Sequence, residues 1–205
     1  MPAIPHGWCV AGCGEKLIID NSALTGTYTH VRPYEKSMER YIFLDIDGVL
    51  NTSRSYKKRV AAGEPWRDDY GPFFDYESVG NLRHIIDATH ADVIITSTWK
   101  YKGLDAMHTL WTLREMPGIL LGITPEVSTS DFYVRSMEIM KWLAQNAPEN
   151  PSEYRYVIID DSPIFLPEQL PYLVDTSSDT GITCEDAEKA IEILMGGTNP
   201  VVAGC

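Results

Sequence analysis

Two aspartates separated by one residue follow a short apolar run. The apolar run covers residues 41–44. It is followed by Asp45 and Asp47, and then by Gly48. Because side chains alternate along an extended chain, the two carboxylates point to the same side. Like charges this close disfavour each other's ionisation unless a cation or a proton lies between them. The pair therefore indicates a Mg²⁺ site, a shared proton, or both.

An EF-hand loop for Ca²⁺ is the nearest alternative for this spacing. That loop needs a third oxygen ligand where Val49 stands, and a Glu at its twelfth position, where Tyr56 stands. Val49 and Tyr56 cannot supply these Ca²⁺ ligands, so the sequence excludes an EF-hand.

The elements that must position these aspartates are apolar runs alternating with helical periodicity, a pattern typical of βαβ units. We predict an α/β fold: a Rossmann-like, mainly parallel sheet flanked by helices. Predicted strands cover residues 41–44, 92–96, 118–122, 156–159 and 173–174. One helix follows the cap Asp75, another covers 134–146, and the last begins at a capping box of Thr183 and Asp186 and ends at Gly196. The first is expected to bury Val79, Leu82, Ile85 and Ile86, and the second Met137, Met140 and Leu143.

The domain organisation follows from the same pattern. We predict a main domain over 41–197, an N-terminal extension over 1–40, with a possible hairpin of strands at 16–20 and 27–31, and a tail over 198–205. Residues 51–75 are polar and turn-rich and interrupt the first strand-to-helix connection. Ligands of such sheets bind at the carboxyl ends of the strands, so this small insertion, here called the lid, would cover the site.

The lid carries four cations within the six residues 54–59 and four aromatic residues further along. One hypothesis is that the cations clamp a second phosphate or a nucleic-acid backbone while an aromatic ring stacks on a base. The alternative is a solvated basic helix followed by aromatic residues that pack the lid. The residues are Arg54, Lys57, Lys58 and Arg59, followed by Trp66, Tyr70, Phe73 and Phe74.

Cysteine usage and net charge limit the metal sites, binding partners and cellular location that the sequence allows. Cys9 and Cys13, with His6 and His30 nearby, have a loose zinc spacing, for which ordinary thiols are the alternative. The net charge is 17 − 29 = −12, which disfavours binding to nucleic acid or anionic membranes through general attraction. Without a signal peptide or an 18-residue apolar run, we expect a cytoplasmic protein with no membrane partner.

The run Asp45-Ile46-Asp47-Gly48-Val49 after an apolar strand resembles the first motif of the haloacid dehalogenase (HAD) superfamily of phosphohydrolases. The family's other motifs occur in the family's order between residues 41 and 194. The resemblance implies a phosphate-binding Ser or Thr after the next strand, a basic residue on a later helix, and an acidic pair after a further strand. These match Ser97 (with Thr96 and Thr98 as neighbouring choices), Arg135 (with Lys141 as the second choice), and Asp160 with Asp161.

The resemblance also implies roles. Mg²⁺ would be held by Asp45, Asp160 and the backbone oxygen of Asp47, with Asp161 acting directly or through water. Asp45 would attack phosphorus and form an aspartyl-phosphate, while Asp47 would serve as acid and then as base. The phosphoryl oxygens would be bound by the hydroxyl of Ser97 or Thr98 and by the basic residue.

Three further runs are similar to a small HAD subgroup associated with nucleic-acid repair. They are Ser97-Thr98-Trp99, Gly122-Ile123-Thr124-Pro125 and Ile159-Asp160-Asp161. We therefore expect a Mg²⁺-dependent phosphomonoesterase whose substrate is a nucleotide or a nucleic-acid terminal phosphate. The alternatives are a phosphatase for a phosphorylated small molecule such as a sugar phosphate, and an inactive phosphate-binding module.

Overall fold

A computed structural model of the chain describes residues 38–128 and 132–197. Its elements alternate between strands and helices, as predicted. In chain order they are β1 (Glu39–Leu44), α1 (Ser53–Ala61), β2 (Arg67–Asp68), β3 (Gly71–Pro72), α2 (Tyr76–Thr89), β4 (Asp92–Ile95), α3 (Leu104–Leu113), β5 (Leu120–Ile123), α4 (Val134–Asn146), β6 (Tyr154–Asp160), β7 (Leu173–Asp175) and α5 (Cys184–Met195).

Five of these strands form a parallel sheet in the order β5-β4-β1-β6-β7, and β2 and β3 pair as a separate antiparallel hairpin. The predicted α/β fold class is thereby confirmed. Strand β1 is central and apolar, because helices cover both faces of the sheet. Leu44 pairs with Ile95 of β4 and with Ile159 of β6, so the three strands reach the same edge together.

Strand boundaries differ from the prediction at several ends. β5 begins at Leu120, two residues after the predicted start, because Gly118 adopts φ +69° and closes a turn there. β4 ends at Ile95, one residue early, whereas β6 is longer than predicted and covers Tyr154–Asp160. β1 begins at Glu39, two residues before the predicted domain boundary.

Two predicted helix ends are confirmed by their capping bonds. The Asp75 carboxylate accepts from the Glu77 N–H at 2.9 Å and begins α2. Both halves of the Thr183–Asp186 capping box are present in α5, which ends at Gly196 with φ +81°. Because each cap satisfies backbone groups locally, short sequence patterns were sufficient to predict them.

Helix α4 has the predicted bounds, but its predicted buried face is only partly right: Leu143 packs against the core, whereas the two methionines do not. Met137 and Met140 are 40% and 50% exposed, and the buried residues are instead Ser136, Glu138, Ile139 and Trp142. A charged residue lies on the inner face because Glu138 pairs with the buried Lys100, Nζ to Oε2 at 2.5 Å. The buried side of α4 therefore includes an ion pair, which apolar periodicity does not report, beside Ile139 and Trp142.

The lid contains α1 and the β2–β3 hairpin. The first two N–H groups of α1, those of Ser53 and Arg54, donate to the carbonyls of Ser178 and Asp179 at 3.0 and 3.1 Å. These bonds attach the start of the lid to the loop between β7 and α5. The predicted strands at 16–20 and 27–31, the Cys9 and Cys13 pair and the tail lie outside the described residues.

Within residues 38–128 and 132–197, no helix has both the length and the apolar character needed to cross a bilayer.

Lys100→Met is expected to lower the free energy of unfolding by about 3–5 kcal/mol, because it leaves the Glu138 carboxylate charged and buried. The double variant Lys100→Met/Glu138→Met is expected to regain most of that loss. Urea denaturation at pH 7 measures both. Equal losses in the single and double variants would contradict this account and assign the effect to packing.

Candidate active site

Three candidate site residues, one at the end of each of three neighbouring strands, lie side by side at the carboxyl edge of the sheet. Since Leu44 is in register with Ile95 and Ile159, the residues that follow these three are adjacent as well: Asp45, Thr96 and Asp160. The N–H of Asp45 donates to the Ile159 carbonyl at 3.0 Å, which continues the ladder by one step. Two buried carboxylates are thus placed next to each other by the strand register.

Arg135 offsets part of the negative charge of this pair. Its Nη1 lies 2.7 Å from Oδ2 of Asp45 and also contacts Oδ2 of Asp160. Arg135 is in the first turn of α4, which brings the guanidinium over the ends of β1 and β6. The remaining carboxylate oxygens accept backbone bonds: Oδ1 of Asp45 from Ile46 at 2.7 Å and Oδ1 of Asp160 from Ser162 at 2.9 Å.

Burial and charge act against each other at this site. Burial, with the nearby Asp45 charge, raises the pKa of Asp160 to about 7, although Arg135 lowers it. Burial lowers the pKa of Arg135, but the charges of Asp160 and Asp45 outweigh it and raise that pKa above its usual value. Burial and the Asp45 charge also raise the pKa of Asp161. The carboxylates therefore favour an added positive charge.

A divalent cation fits this donor set. Asp45, Asp160 and Asp161 each offer one carboxylate oxygen, and the three oxygens lie within 4.8 Å of one another. Three carboxylates beside one guanidinium leave an excess negative charge, and hard oxygen ligands suit Mg²⁺. Gly48, at φ +76°, allows Asp161 to approach, because a Cβ there would lie 2.0 Å from Asp161 Oδ2.

The carboxylate of Asp47 stands apart from these three. It is exposed, and its Oδ1 and Oδ2 both accept from the Trp99 indole N–H at 3.1 Å. Asn51 Nδ2 donates to Oδ1 at 2.7 Å. Sequence reasoning did not assign Trp99 or Asn51 to the site, since neither contact follows from spacing along one strand.

The three candidate hydroxyls after β4 have different environments. Ser97, the first choice from sequence, is buried, and its Oγ accepts from the Trp99 N–H at 3.4 Å, which caps a 3₁₀ turn at Thr98–Lys102. Thr98 is exposed and lines the cavity. The Oγ1 of Thr96 is buried and has no hydrogen-bond partner among the described residues.

A cavity of about 470 Å³ opens above the carboxylates and is walled by the lid. The lid contributes Tyr56, Arg59, Trp66 and Phe73 to the lining. The rings of Tyr56 and Trp66 meet edge to face with centroids 5.3 Å apart, and the guanidinium of Arg59 lies 4.7 Å from the Phe73 centroid. The lid therefore lines the same cavity as Asp45, Asp47 and Asp161.

The four cations of residues 54–59 are not equivalent. Arg54 pairs with Asp75 and Glu77, and Lys57 pairs with Asp179 at 2.9 Å. Both therefore hold the lid to the rest of the domain. Lys58 is exposed and makes no ion pair with any described residue, while Arg59 lines the cavity.

Lys141, the second choice for the basic residue, lies away from the carboxylates. It is exposed, and its Nζ donates to the Glu126 carbonyl at 3.1 Å.

Adding Mg²⁺ at pH 8 is expected to raise the melting temperature of the protein, because a ligand that binds only the folded state stabilises it. Asp160→Asn removes one of the three carboxylates and should abolish most of the shift. Asp175→Asn, at the exposed end of the neighbouring strand β7, is the matched control and should keep it. An equal shift in the wild type and Asp160→Asn would contradict the cation site.

Comparison with known proteins places this geometry in a family. Residues 41–187 match the family described as "HAD domain in Swiss Army Knife RNA repair proteins". No curated protein and no solved structure was found to match the chain. The family match confirms the resemblance inferred from the four motifs, including its association with nucleic-acid repair, and supports a HAD-type phosphohydrolase. The chain belongs to the family of HAD domains found in Swiss Army Knife RNA repair proteins.

Proposed function

We propose that this domain is a Mg²⁺-dependent phosphomonoesterase that acts through an aspartyl-phosphate. One observation carries the proposal: Arg135 bridges two buried carboxylates, those of Asp45 and Asp160, and Arg135, Asp45 and the exposed Asp47 line one cavity. A buried nucleophile, a fixed cation and a separate acid within one cavity are the parts that attack on a phosphate dianion requires.

In the first step a carboxylate oxygen of Asp45 attacks phosphorus, and the bond from phosphorus to the leaving oxygen breaks. Protonated Asp47 gives its proton to that oxygen, so the product leaves as an alcohol. Arg135 offsets the negative charge of the nucleophile and the phosphoryl group. Mg²⁺, held by Asp45, Asp160 and Asp161, supplies further positive charge at the phosphoryl oxygens when bound.

In the second step water hydrolyses the aspartyl-phosphate. Asp47, now ionised, accepts a proton from the water that attacks phosphorus, the bond to Asp45 breaks, and inorganic phosphate leaves. The hydroxyl groups proposed to bind phosphoryl oxygens are those of Thr98, which lines the cavity, and Thr96, which adjoins Asp45 in register. Ser97 is the weaker candidate because its hydroxyl caps the 3₁₀ turn.

The substrate we propose is a nucleotide or a nucleic-acid terminal phosphate. Tyr56 and Trp66 are 48% and 37% exposed although they line the cavity, and exposed aromatic rings beside a phosphate site suit a nucleobase. Arg59, in the same wall, is placed to contact a neighbouring phosphate. The RNA repair context of the family favours the same substrate class.

Phosphate release from a substrate panel tests the proposed function. The panel contains 4-nitrophenyl phosphate, nucleoside monophosphates, sugar phosphates and oligonucleotides phosphorylated at either end, each with Mg²⁺ or EDTA. Release that requires Mg²⁺ is expected from the wild type and from Asp175→Asn, and a loss of at least about 10³-fold from Asp45→Asn, which lacks the nucleophile. No release from any substrate would favour a phosphate-binding module, and sugar phosphates as the best substrates would favour the metabolite alternative.

The lid aromatic residues test the substrate class. Tyr56→Ala and Trp66→Ala are each expected to lower kcat/KM for a phosphorylated oligonucleotide by about 5- to 100-fold, the range for loss of one base stack. Glycerol phosphate, which has no base, should be cleaved as by the wild type. Tyr70→Ala, a similarly exposed lid tyrosine outside the cavity lining, is the matched control. Equal effects on both substrates would contradict base stacking.

A further inference from the structure

The neighbours of the Asp47 carboxylate are both hydrogen-bond donors. The Trp99 indole N–H lies 3.1 Å from Oδ1 and from Oδ2, and Asn51 Nδ2 lies 2.7 Å from Oδ1. The amide orientation of Asn51 is set by its other end, because its Oδ1 accepts from the Gly48 N–H at 3.2 Å. An indole has no acceptor, and this amide nitrogen has none either.

This arrangement restricts where a proton on Asp47 can point. When Asp47 is protonated, its O–H finds no acceptor on Trp99 or on the Asn51 nitrogen. Oδ1 already receives two N–H groups, so Oδ2 is the oxygen with a lone pair to carry the proton. The side chain is exposed on its remaining side, toward the cavity that it lines. The two donors therefore direct the transferable proton to the cavity.

The lid hairpin holds the indole in place. A Cβ on Gly71, at the start of β3, would lie 2.6 Å from the Trp99 ring, so only glycine permits this approach. Phe74, three residues after Gly71 in the lid, has its ring centroid 5.8 Å from that of Trp99. Lys102 Nζ lies 4.0 Å from the indole centroid and donates to the Tyr70 carbonyl at 2.8 Å. Trp99 is accordingly only 7% exposed.

We propose that Trp99 is the positioning residue of the acid and base Asp47, and that the lid hairpin fixes Trp99 for this task. The inference rests on the proposed function, since it takes Asp47 to give a proton to the leaving oxygen and later to accept one from water. Both transfers need the carboxylate in one orientation. A displaced reacting group costs on the order of 100-fold in rate.

A substrate with a good leaving group distinguishes the two proton transfers of Asp47, the one to the leaving oxygen and the one from water. 4-Nitrophenolate leaves without a proton, so transfer to Asp45 proceeds when Asp47 is misplaced, while hydrolysis of the aspartyl-phosphate still needs the base. Loss of positioning should therefore give a burst of nitrophenolate near one per enzyme, followed by slow turnover. A partly unfolded enzyme instead loses burst and turnover in proportion.

The test compares Trp99→Phe with Trp111→Phe by rapid-mixing kinetics on 4-nitrophenyl phosphate with Mg²⁺. Phenylalanine keeps an aromatic ring and removes the N–H. Trp111 is a matched control: it is 6% exposed, its indole donates at 3.1 Å to the Pro117 carbonyl, and it does not line the cavity. We expect turnover 10- to 100-fold slower than wild type for Trp99→Phe with a full burst, and turnover within twofold of wild type for Trp111→Phe.

Each outcome decides between the two claims. If the wild type releases phosphate and Trp99→Phe and Trp111→Phe turn over equally fast, the positioning role is overturned and the proposed function stands. A parallel loss of burst and turnover in Trp99→Phe has the same meaning. No release from the wild type contradicts the proposed function and the inference together. If Trp99→Phe does not fold, Lys102→Met is used, because that exposed residue contacts the indole and leaves its N–H in place. A few-fold loss of turnover with a full burst supports the role, and wild-type turnover overturns it.

Discussion

The contact of one guanidinium with two buried carboxylates is the interaction on which the rest of this structure depends. Parallel pairing brings Asp45 and Asp160 side by side, because each follows a strand residue in the same register. Without a cation, two adjacent carboxylates in a buried position would repel each other and resist desolvation. Arg135 supplies that cation from the first turn of α4, so the position of this helix is tied to the charge at the sheet edge.

The orientation of α4 shows how strongly charge constrains it. Arg135 reaches the sheet edge, Glu138 pairs with Lys100 one turn later, and Trp142 packs edge-on against Phe43 of the central strand, with centroids 5.5 Å apart. These contacts lie along one side of the helix and leave Met137 and Met140 toward solvent. The buried side of α4 thus combines three ion pairs with the apolar residues Ile139 and Trp142. Burying these charges is favourable only because each has its partner within the same domain.

The lid and the sheet edge contribute different kinds of groups to the site. The sheet edge holds the clustered carboxylates, and their geometry follows from strand register. The lid holds exposed aromatic rings and one cation of the cavity wall. Trp99 connects the two, since it contacts Asp47 beside the sheet edge and is held by Gly71 and Lys102 at the lid hairpin.

The sequence by itself determined the features encoded over a few neighbouring residues: the α/β fold class, the caps of α2 and α5, the carboxylates at the ends of β1 and β6, and the family. Only the tertiary structure decided which side chains from distant segments meet. Trp99 and Asp47 are 52 residues apart, and Lys100 and Glu138 are 38 apart, so no local period links them. The different environments of Thr96, Ser97 and Thr98 likewise depend on strand register and on a capped 3₁₀ turn, because three consecutive hydroxyls have the same chemistry until backbone pairing distinguishes them.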